Sequence, residues 1–316
     1  MWLWRMLLAT GEARYADLFE ETLYNGILPG VSLDGRSYFY VNPLRKLRDN
    51  PVPLRWSRSR MATIPSSFCC PPNVARTIAE AHNYVHTVSP GTLWVHLYAA
   101  CSLDTTLPDG GRIRLRQETD YPWSGSVTLT FDEAPGRELT VRLRIPGWLG
   151  RDTASIRVNG QPLPAAPVAG SYAAITRVFQ PGDRIEASFH LAPRLVEANP
   201  LVEETLGQVA IRRGPLVYCL ESCDLPDGAR LDDVVVSAAA AGADLESTPL
   251  AVAGTGVTAV VANGLLRRRP GWSEAPLYRT IDDAETVPAK LTFIPYFAWG
   301  NRGETDMTVW VPAAWR

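Results

Sequence analysis

The sequence predicts a mixed fold: the C-terminal part of an (α/α) helical barrel, followed by two antiparallel β-sandwich-like domains. Three observations lead there. Apolar residues recur at helical spacing as far as about residue 88. From Thr92 the period changes to two, with alternation through Leu93, Val95 and Leu97, then Ile113 and Leu115, Val127 and Leu129, and Val141, Leu143 and Ile145. Turn signals such as Asn159-Gly160 separate these runs at the short intervals of an antiparallel sandwich. A chain of 316 residues is long enough for two or three domains, each with its own core. The boundaries are drawn at 1–88, 89–192 and 193–316.

The start of the chain, residues 1–9, is an apolar run broken by Arg5 and without a basic leader. It therefore reads as an amphipathic helix within a domain rather than a signal peptide. Thr10 is placed to cap a second helix over about 11–24, which Asn25-Gly26 ends. Asp34-Gly35 is a hairpin turn leading into the extended stretch 37–41, and 44–64, rich in Arg and Pro without a period, is a loop. Pro71-Pro72 forbids helix upstream, Asn73 is an N-cap, and Val74, Ile78, Ala81 and Val85 repeat at helical spacing before Ser89-Pro90-Gly91. Three helices, one hairpin and a long loop make a poor independent domain, hence the closing part of a barrel.

In the middle domain, 155–158 precedes the Asn159-Gly160 turn, and a further strand covers 184–190. In the last domain strands are expected over 209–220, interrupted by Gly214-Pro215, and at 290–294 and 307–311. The Ala-rich stretch around 238–241 is weakly patterned.

Composition excludes several functions. Charged residues at 20% and hydrophobics at 46% are ordinary for a globular protein, and a net charge of −2 gives no electrostatic case for nucleic acid or an anionic membrane. No segment approaches the ~20 apolar residues of a membrane span. A cytoplasmic location is expected unless a signal precedes the start. There is no solenoid repeat and no nucleotide-binding glycine loop. The 10 Trp and 11 Tyr suit sugar surfaces and equally suit sandwich cores. Five cysteines do not form a disulfide framework, and Cys101, Cys219 and Cys223 read as ordinary buried thiols.

Cys69 and Cys70 stand apart. Neighbours across a trans peptide, with Cα atoms ~3.8 Å apart, are poor disulfide partners. At a helix start, backbone N–H groups favour thiolate, so the pair points to soft-metal binding, nucleophilic chemistry or both. The alternative is that they are small buried hydrophobes. His82 and His86 have the i,i+4 spacing of zinc ligands, but Asn83-Tyr84-Val85 between them lacks the glutamate of a metalloprotease, which favours packing or surface roles. Tyr38 and Tyr40 would share one side of a strand, facing either a sugar pocket or the core. Asn73 and Arg76 are expected to anchor the cysteine loop and orient its sulfurs.

The string Cys69-Cys70-Pro71-Pro72-Asn73-x-x-Arg76 resembles the signature of glycoside hydrolase family 127, the β-L-arabinofuranosidase-like enzymes. Stretches 23–30, 38–43, 213–218 and 293–299 resemble family segments in the same order. The resemblance implies retaining hydrolysis of terminal β-L-arabinofuranosides in glycans. Cys69 would be nucleophile and zinc ligand, Cys70 a second zinc ligand, and a glutamate the acid. The sequence departs from that pattern, because the family's Glu-x-Cys ligand pair and its acid precede the vicinal cysteines. Before Cys69 there is no cysteine, and the glutamates are Glu12, Glu20 and Glu21, which match neither motif. Two cysteines cannot complete the four-coordinate site zinc prefers. A truncated family member is therefore expected, whose exposed helix faces, with Trp2, Leu3, Leu7 and Leu8, would favour a homo-oligomer. Two other classes stay open: a non-catalytic carbohydrate-binding or assembly module, and a structural thiol–zinc protein.

Overall fold

The computed structural model describes residues 2–47, 60–62, 69–150, 153–238, 245–268, 278, 280 and 285–315. They group into two compact units, both discontinuous in sequence: 1–27 with 72–192, and 28–71 with 193–316. Among the described residues the fold is mostly β. No described helix is long and apolar enough to cross a membrane.

The first unit opens with helices α1 (Trp2–Thr10) and α2 (Ala13–Thr22). Thr10 closes α1, its hydroxyl donating to the Met6 carbonyl at 2.8 Å, and it receives the Glu12 N–H at 3.2 Å. It therefore serves both helix ends, while Glu12 holds the N-cap position without a side-chain bond. α2 gives way to a π-helical turn, Leu23–Ile27, in which Asn25 donates to the Glu21 carbonyl. Helix α3 (Cys70–Ala79) begins earlier than expected. Pro71 and Pro72 lie in its first turn, where a missing N–H leaves no hydrogen bond unmade and the fixed φ suits a helix. Asn73 is thus a helical residue and not the cap. The helix stops at Ala79, a 3-10 turn spans Ala81–Tyr84, and His86 already belongs to the strand His86–Ser89.

Two sheets follow. One has four strands in the order Ser171–Val178, Glu138–Ile145, Thr92–Val95, His86–Ser89. The other has six: Cys101–Thr106, Arg112–Thr119, Ser126–Glu133, Arg184–Phe189, Ala154–Val158 and Gln161–Pro162. Alternating residues from both, including Leu93, Ile113, Phe131, Val141 and Ile185, form one shared core, which makes the pair a sandwich. Thr92–Val95 lies parallel to Glu138–Ile145, so the sandwich is not wholly antiparallel. The positive φ of Asn159 and Gly160, 51° and 78°, fits the tight hairpin expected there.

An ion network attaches the helices to this sandwich. Arg144, 0% exposed, reaches Asp17 of α2 with one terminal nitrogen and Glu20 of α2, 1% exposed, with the other at 2.6 Å. Its Nε donates to the His96 carbonyl. Tyr121 and Trp148 donate to the two Glu20 oxygens at 2.9 and 3.3 Å, and the Gly147 N–H donates to Asp17 at 3.1 Å. Burial works against the charge on Arg144, and Glu20 and Asp17 outweigh it. Beside it, His96 lies between the Thr87 hydroxyl at 2.8 Å and the Tyr172 hydroxyl at 2.6 Å. A neutral imidazole, one donor and one acceptor, suits two hydroxyl partners.

Among the described residues the second unit forms a single hydrogen-bonded sheet of ten strands, and not the pair of separate sheets a simple sandwich would have. Gln208–Arg213 and Leu216–Glu221 pair only beside the Gly214-Pro215 turn, at Arg212–Val217 and Arg213–Leu216. They then diverge, the first to Val311–Ala314 and Pro193–Val196, the second to Glu285–Pro295 and Met307–Thr308. The stretch expected to be a loop at 44–64 contributes the short strand Arg45–Lys46, and its parts 48–59 and 63–64 lie outside the described residues. The weakly patterned region, described from 245, contains the hairpin Leu245–Val252 and Thr255–Arg268.

Arg144→Ala should destabilise the protein by ~3–5 kcal/mol, because two carboxylates would lose the cation they are buried against. Urea unfolding followed by tryptophan fluorescence measures it. A second expectation concerns acid. Burial, first among the causes, lowers the His96 pKa to about 3 and the His86 pKa to about 4. The unfolded chain therefore binds these protons more readily, and the stability their neutral forms contribute is present above about pH 6.5 and lost as pH falls towards those values. The urea midpoint should drop over that window, and less steeply in His96→Gln.

Candidate active site

The site is assembled within the second unit from two segments, 37–41 and 69–70. Its foundation is Phe39. Bridges pair Tyr38 with Val31 and with Met61, and the Phe39 N–H donates to the Gly30 carbonyl at 2.9 Å. Phe39 is buried and stacks on Trp299 with centroids 4.2 Å apart and an interplanar angle of 12°, while the Arg60 guanidinium lies 4.4 Å from its ring centroid on a cation–π contact. Arg60 also donates to the Trp299 carbonyl at 2.7 Å, and the Trp299 indole donates to Asn42 at 3.2 Å. Gly300 makes the approach possible: its φ is +66°, and a Cβ there would stand 2.7 Å from Phe39 Cε2.

Extended backbone alternates its side chains. Phe39 is turned to the core, while Tyr38 and Tyr40 on either side of it are half-buried, the backbone bending at Tyr40. Tyr40 extends its hydroxyl to 3.8 Å from Cys69 Sγ. Cys69 Sγ is 3.3 Å from Cys70 Sγ, and both cysteines are exposed and unbridged. The plain alternative of small buried hydrophobes fails on that exposure. Cys70 opens α3, but two of the helix's first four N–H positions are Pro71 and Pro72. The backbone there offers the sulfurs fewer donors than a helix start ordinarily has.

The remaining candidates are settled by their partners. Asn73 accepts a hydrogen bond from Arg76 at 2.8 Å, which braces α3 within its own turn. His82 contacts the Ala79 carbonyl at 3.1 Å from a 3-10 turn, and His86 is in a strand, so the two do not share a helix face. Cys219 is buried and Cys101 half-buried, as expected, and burial raises both thiols. Cys223, by contrast, is exposed, being at the end of a strand in a 3-10 turn.

Glu20 has the raised pKa that suits a general acid, burial lifting it against the opposing pull of Arg144. Its oxygens are nevertheless occupied by Arg144, Tyr121 and Trp148, which makes it structural. Glu12 pairs with exposed Arg14 at 2.7 Å. Sequence reasoning overlooked one group, Glu221, Cys223 and Asp224, whose ligand atoms lie within 4.8 Å of one another. Arg302 already forks across both carboxylates, with contacts to Glu221 at 2.6 and 3.0 Å and to Asp224 at 2.5 and 2.8 Å. A cation is thus already present in that cluster as a side chain.

The vicinal sulfurs are suited to a soft metal. Two thiolates on one tetrahedral zinc at ~2.3 Å would stand ~3.8 Å apart, and the pair needs to open only slightly from its 3.3 Å separation. Among the described residues, no third His, Cys, Asp or Glu groups with them.

Family comparison bears directly on this pair. Residues 1–83 match "Beta-L-arabinofuranosidase, GH127 catalytic domain", 92–191 the GH127 middle domain, and 193–312 the "Glycoside hydrolase family 127 C-terminal domain". The chain belongs to glycoside hydrolase family 127. The family's catalytic-domain match contains Tyr40, Cys69 and Cys70. A non-reducing end β-L-arabinofuranosidase of Bifidobacterium longum subsp. longum is 34% identical over 98% of this chain and 47% of its own length. A solved GH127 β-L-arabinofuranosidase from Geobacillus stearothermophilus T6 superposes with a TM-score of 0.87 at 35% identity, covering 99% of this chain and 48% of that one. A structure described as a glycoside hydrolase reaches 0.91 at 42% identity, covering 99% of this chain and 50% of that one. The chain thus spans about half the length of the relatives it matches.

With two thiolates and, among the described residues, no further ligand grouped with them, zinc should bind the purified chain weakly and below one equivalent. Equilibrium dialysis with metal analysis checks this, and Cys69→Ser with Cys70→Ser should remove the uptake.

Proposed function

We propose that this chain carries the nucleophilic part of a retaining glycoside hydrolase acting on terminal β-L-arabinofuranosides, with Cys69 as the attacking group. The observation that carries the reading is the exposed Cys69–Cys70 pair, sulfurs 3.3 Å apart, inside the stretch that matches the GH127 catalytic domain. The names of the relatives supply the sugar. The helices of residues 1–88 would then close a helical barrel, ahead of middle and C-terminal β domains.

In this reading Cys69 Sγ attacks the anomeric carbon. A C–S bond forms as the glycosidic C–O bond breaks, and an acid protonates the departing oxygen. Water then attacks the same carbon, the C–S bond breaks, and the thiolate is regenerated as water's proton passes to a base. Cys69 and Cys70 would hold zinc, which when bound keeps sulfur deprotonated at neutral pH. Glu20, locked to Arg144, and Glu12, paired with Arg14, are not proposed as the acid.

A second reading is a non-catalytic carbohydrate-binding or assembly module. It is favoured by one observation, that no described carboxylate joins the sulfurs in a ligand-like group.

The deciding experiment extends the chain to the full length of its relatives and measures release from an aryl β-L-arabinofuranoside. Cys69→Ser should lower turnover by at least ~10³-fold, since an alcohol is far less ionised than a thiol. Near-normal turnover in that variant would remove Cys69 as nucleophile, and an inactive full-length parent would favour the module.

A further inference from the structure

We infer that Tyr40 is a positioning residue for Cys69, its phenolic hydroxyl holding the sulfur of Cys69, and not that of Cys70, in the attacking orientation. The inference rests on the reading of Cys69 as the nucleophile and identifies what directs it.

Vicinal cysteines present a problem of selection. Two sulfurs 3.3 Å apart are chemically alike, both are exposed, and each has a rotatable side chain. Something must distinguish them. Backbone donors at the start of α3 are depleted by Pro71 and Pro72. The Tyr40 hydroxyl, 3.8 Å from Cys69 Sγ, breaks the symmetry. A phenolic hydroxyl can serve a sulfur as donor or acceptor, so this contact orients Cys69 Sγ whichever atom carries the proton.

Position is only as good as its support, and Tyr40 is well supported. Its neighbour Phe39 lies between Trp299 and the Arg60 guanidinium, with Gly300 leaving room for the ring. Met61 and Tyr38 exchange two backbone hydrogen bonds of 3.0 Å one residue before that anchor. The backbone that carries Tyr40 is therefore anchored on one side by Phe39 and its stack.

The test uses the chain as it stands. Iodoacetamide is added in limiting amount to the zinc-free protein, and labelling of each cysteine is followed by peptide mass spectrometry. Cys223, exposed in another part of the unit, is the internal reference, and buried Cys219 reports folding. In Tyr40→Phe the rate at Cys69 should fall relative to Cys223 by about threefold to tenfold, the factor that about one hydrogen bond is worth. Cys70 should change much less, and Cys219 should stay protected. Tyr40→His, which keeps a ring donor, should recover part of the rate at Cys69. An unchanged Cys69:Cys70 ratio in Tyr40→Phe would overturn the inference, as would equal slowing of both sulfurs, which is what packing alone would give. If Tyr40→Phe exposes Cys219, the comparison of the parent with Tyr40→His decides, a Cys69 preference lost despite the ring donor counting against the inference. These outcomes are separate from the fate of the hydrolase reading, which turns on Cys69→Ser in the long enzyme.

Discussion

A guanidinium shut away from water must be neutralised where it lies, and the first unit is organised around that requirement. Arg144 leaves the sheet on the side opposite the sandwich core, as alternation along Glu138–Ile145 dictates. Such a residue would normally face solvent. Here α2 covers it and supplies both carboxylates, so the helix and the sheet each hold half of a buried ionic group. Helices of 9 and 10 residues are marginal in isolation. Their persistence follows from packing, through Leu7, Tyr15, Ala16 and Phe19, and from a charge that the sandwich cannot leave unpaired. A contact that contributes little net energy when made is costly to break, and that asymmetry makes it a determinant of which segment covers the sheet.

The second unit solves an analogous problem with aromatic stacking placed beside its buried charges. Its early segment, which brings Tyr40, Cys69 and Cys70 together, is secured by a stacked Phe39–Trp299 pair and by Arg60 over the ring. Tyr296 extends the contact, stacked at 6.4 Å on Trp299 and donating its hydroxyl to the Pro43 carbonyl at 3.0 Å. Glu221 and Arg302 then fix the loop that presents Trp299, since the Gly300 N–H donates to Glu221 at 2.8 Å. The segment that carries Tyr40 is thus held by a chain of contacts that begins in a buried ion pair and ends at an exposed sulfur.

Legibility in the sequence followed the strength of the local signal. The middle-domain strands were readable because large apolar residues alternate within each short run between Leu93 and Ile145, with turns between the runs. The hairpin Leu245–Val252 with Thr255–Arg268 was not, because its first strand is mostly exposed or half-buried and its second is rich in Ala, Val and Gly, which blur a two-residue period. Gly264 shows why they are needed there: a Cβ would meet Leu291 Cδ1 at 2.4 Å and the Val235 carbonyl at 2.7 Å. The Arg144 network was invisible for a different reason. Nothing in the periodicity of a strand tells whether its outer face will be wet, and the answer came from a helix more than a hundred residues earlier in the chain. The cysteine pair was legible as chemistry, while its contact with Tyr40 depends on a tertiary hydrogen bond that no spacing encodes.

The start of α3 shows how one short string can exchange one form of stabilisation for another. An ordinary helix N-terminus offers its free N–H groups to an anion, and Pro71-Pro72 removes two of them. In return, two fixed φ angles commit the chain to helix immediately after Cys70, which removes backbone freedom where the sulfurs must converge. The string therefore reads as a device for geometry more than for charge. Charge on the sulfurs has to be met from elsewhere, by a soft cation between them or by a hydroxyl from another segment. Of these, the hydroxyl is in place as Tyr40, 3.8 Å from one sulfur of the two. That asymmetry is what a nucleophile requires and what a structural staple, which uses both sulfurs alike, does not.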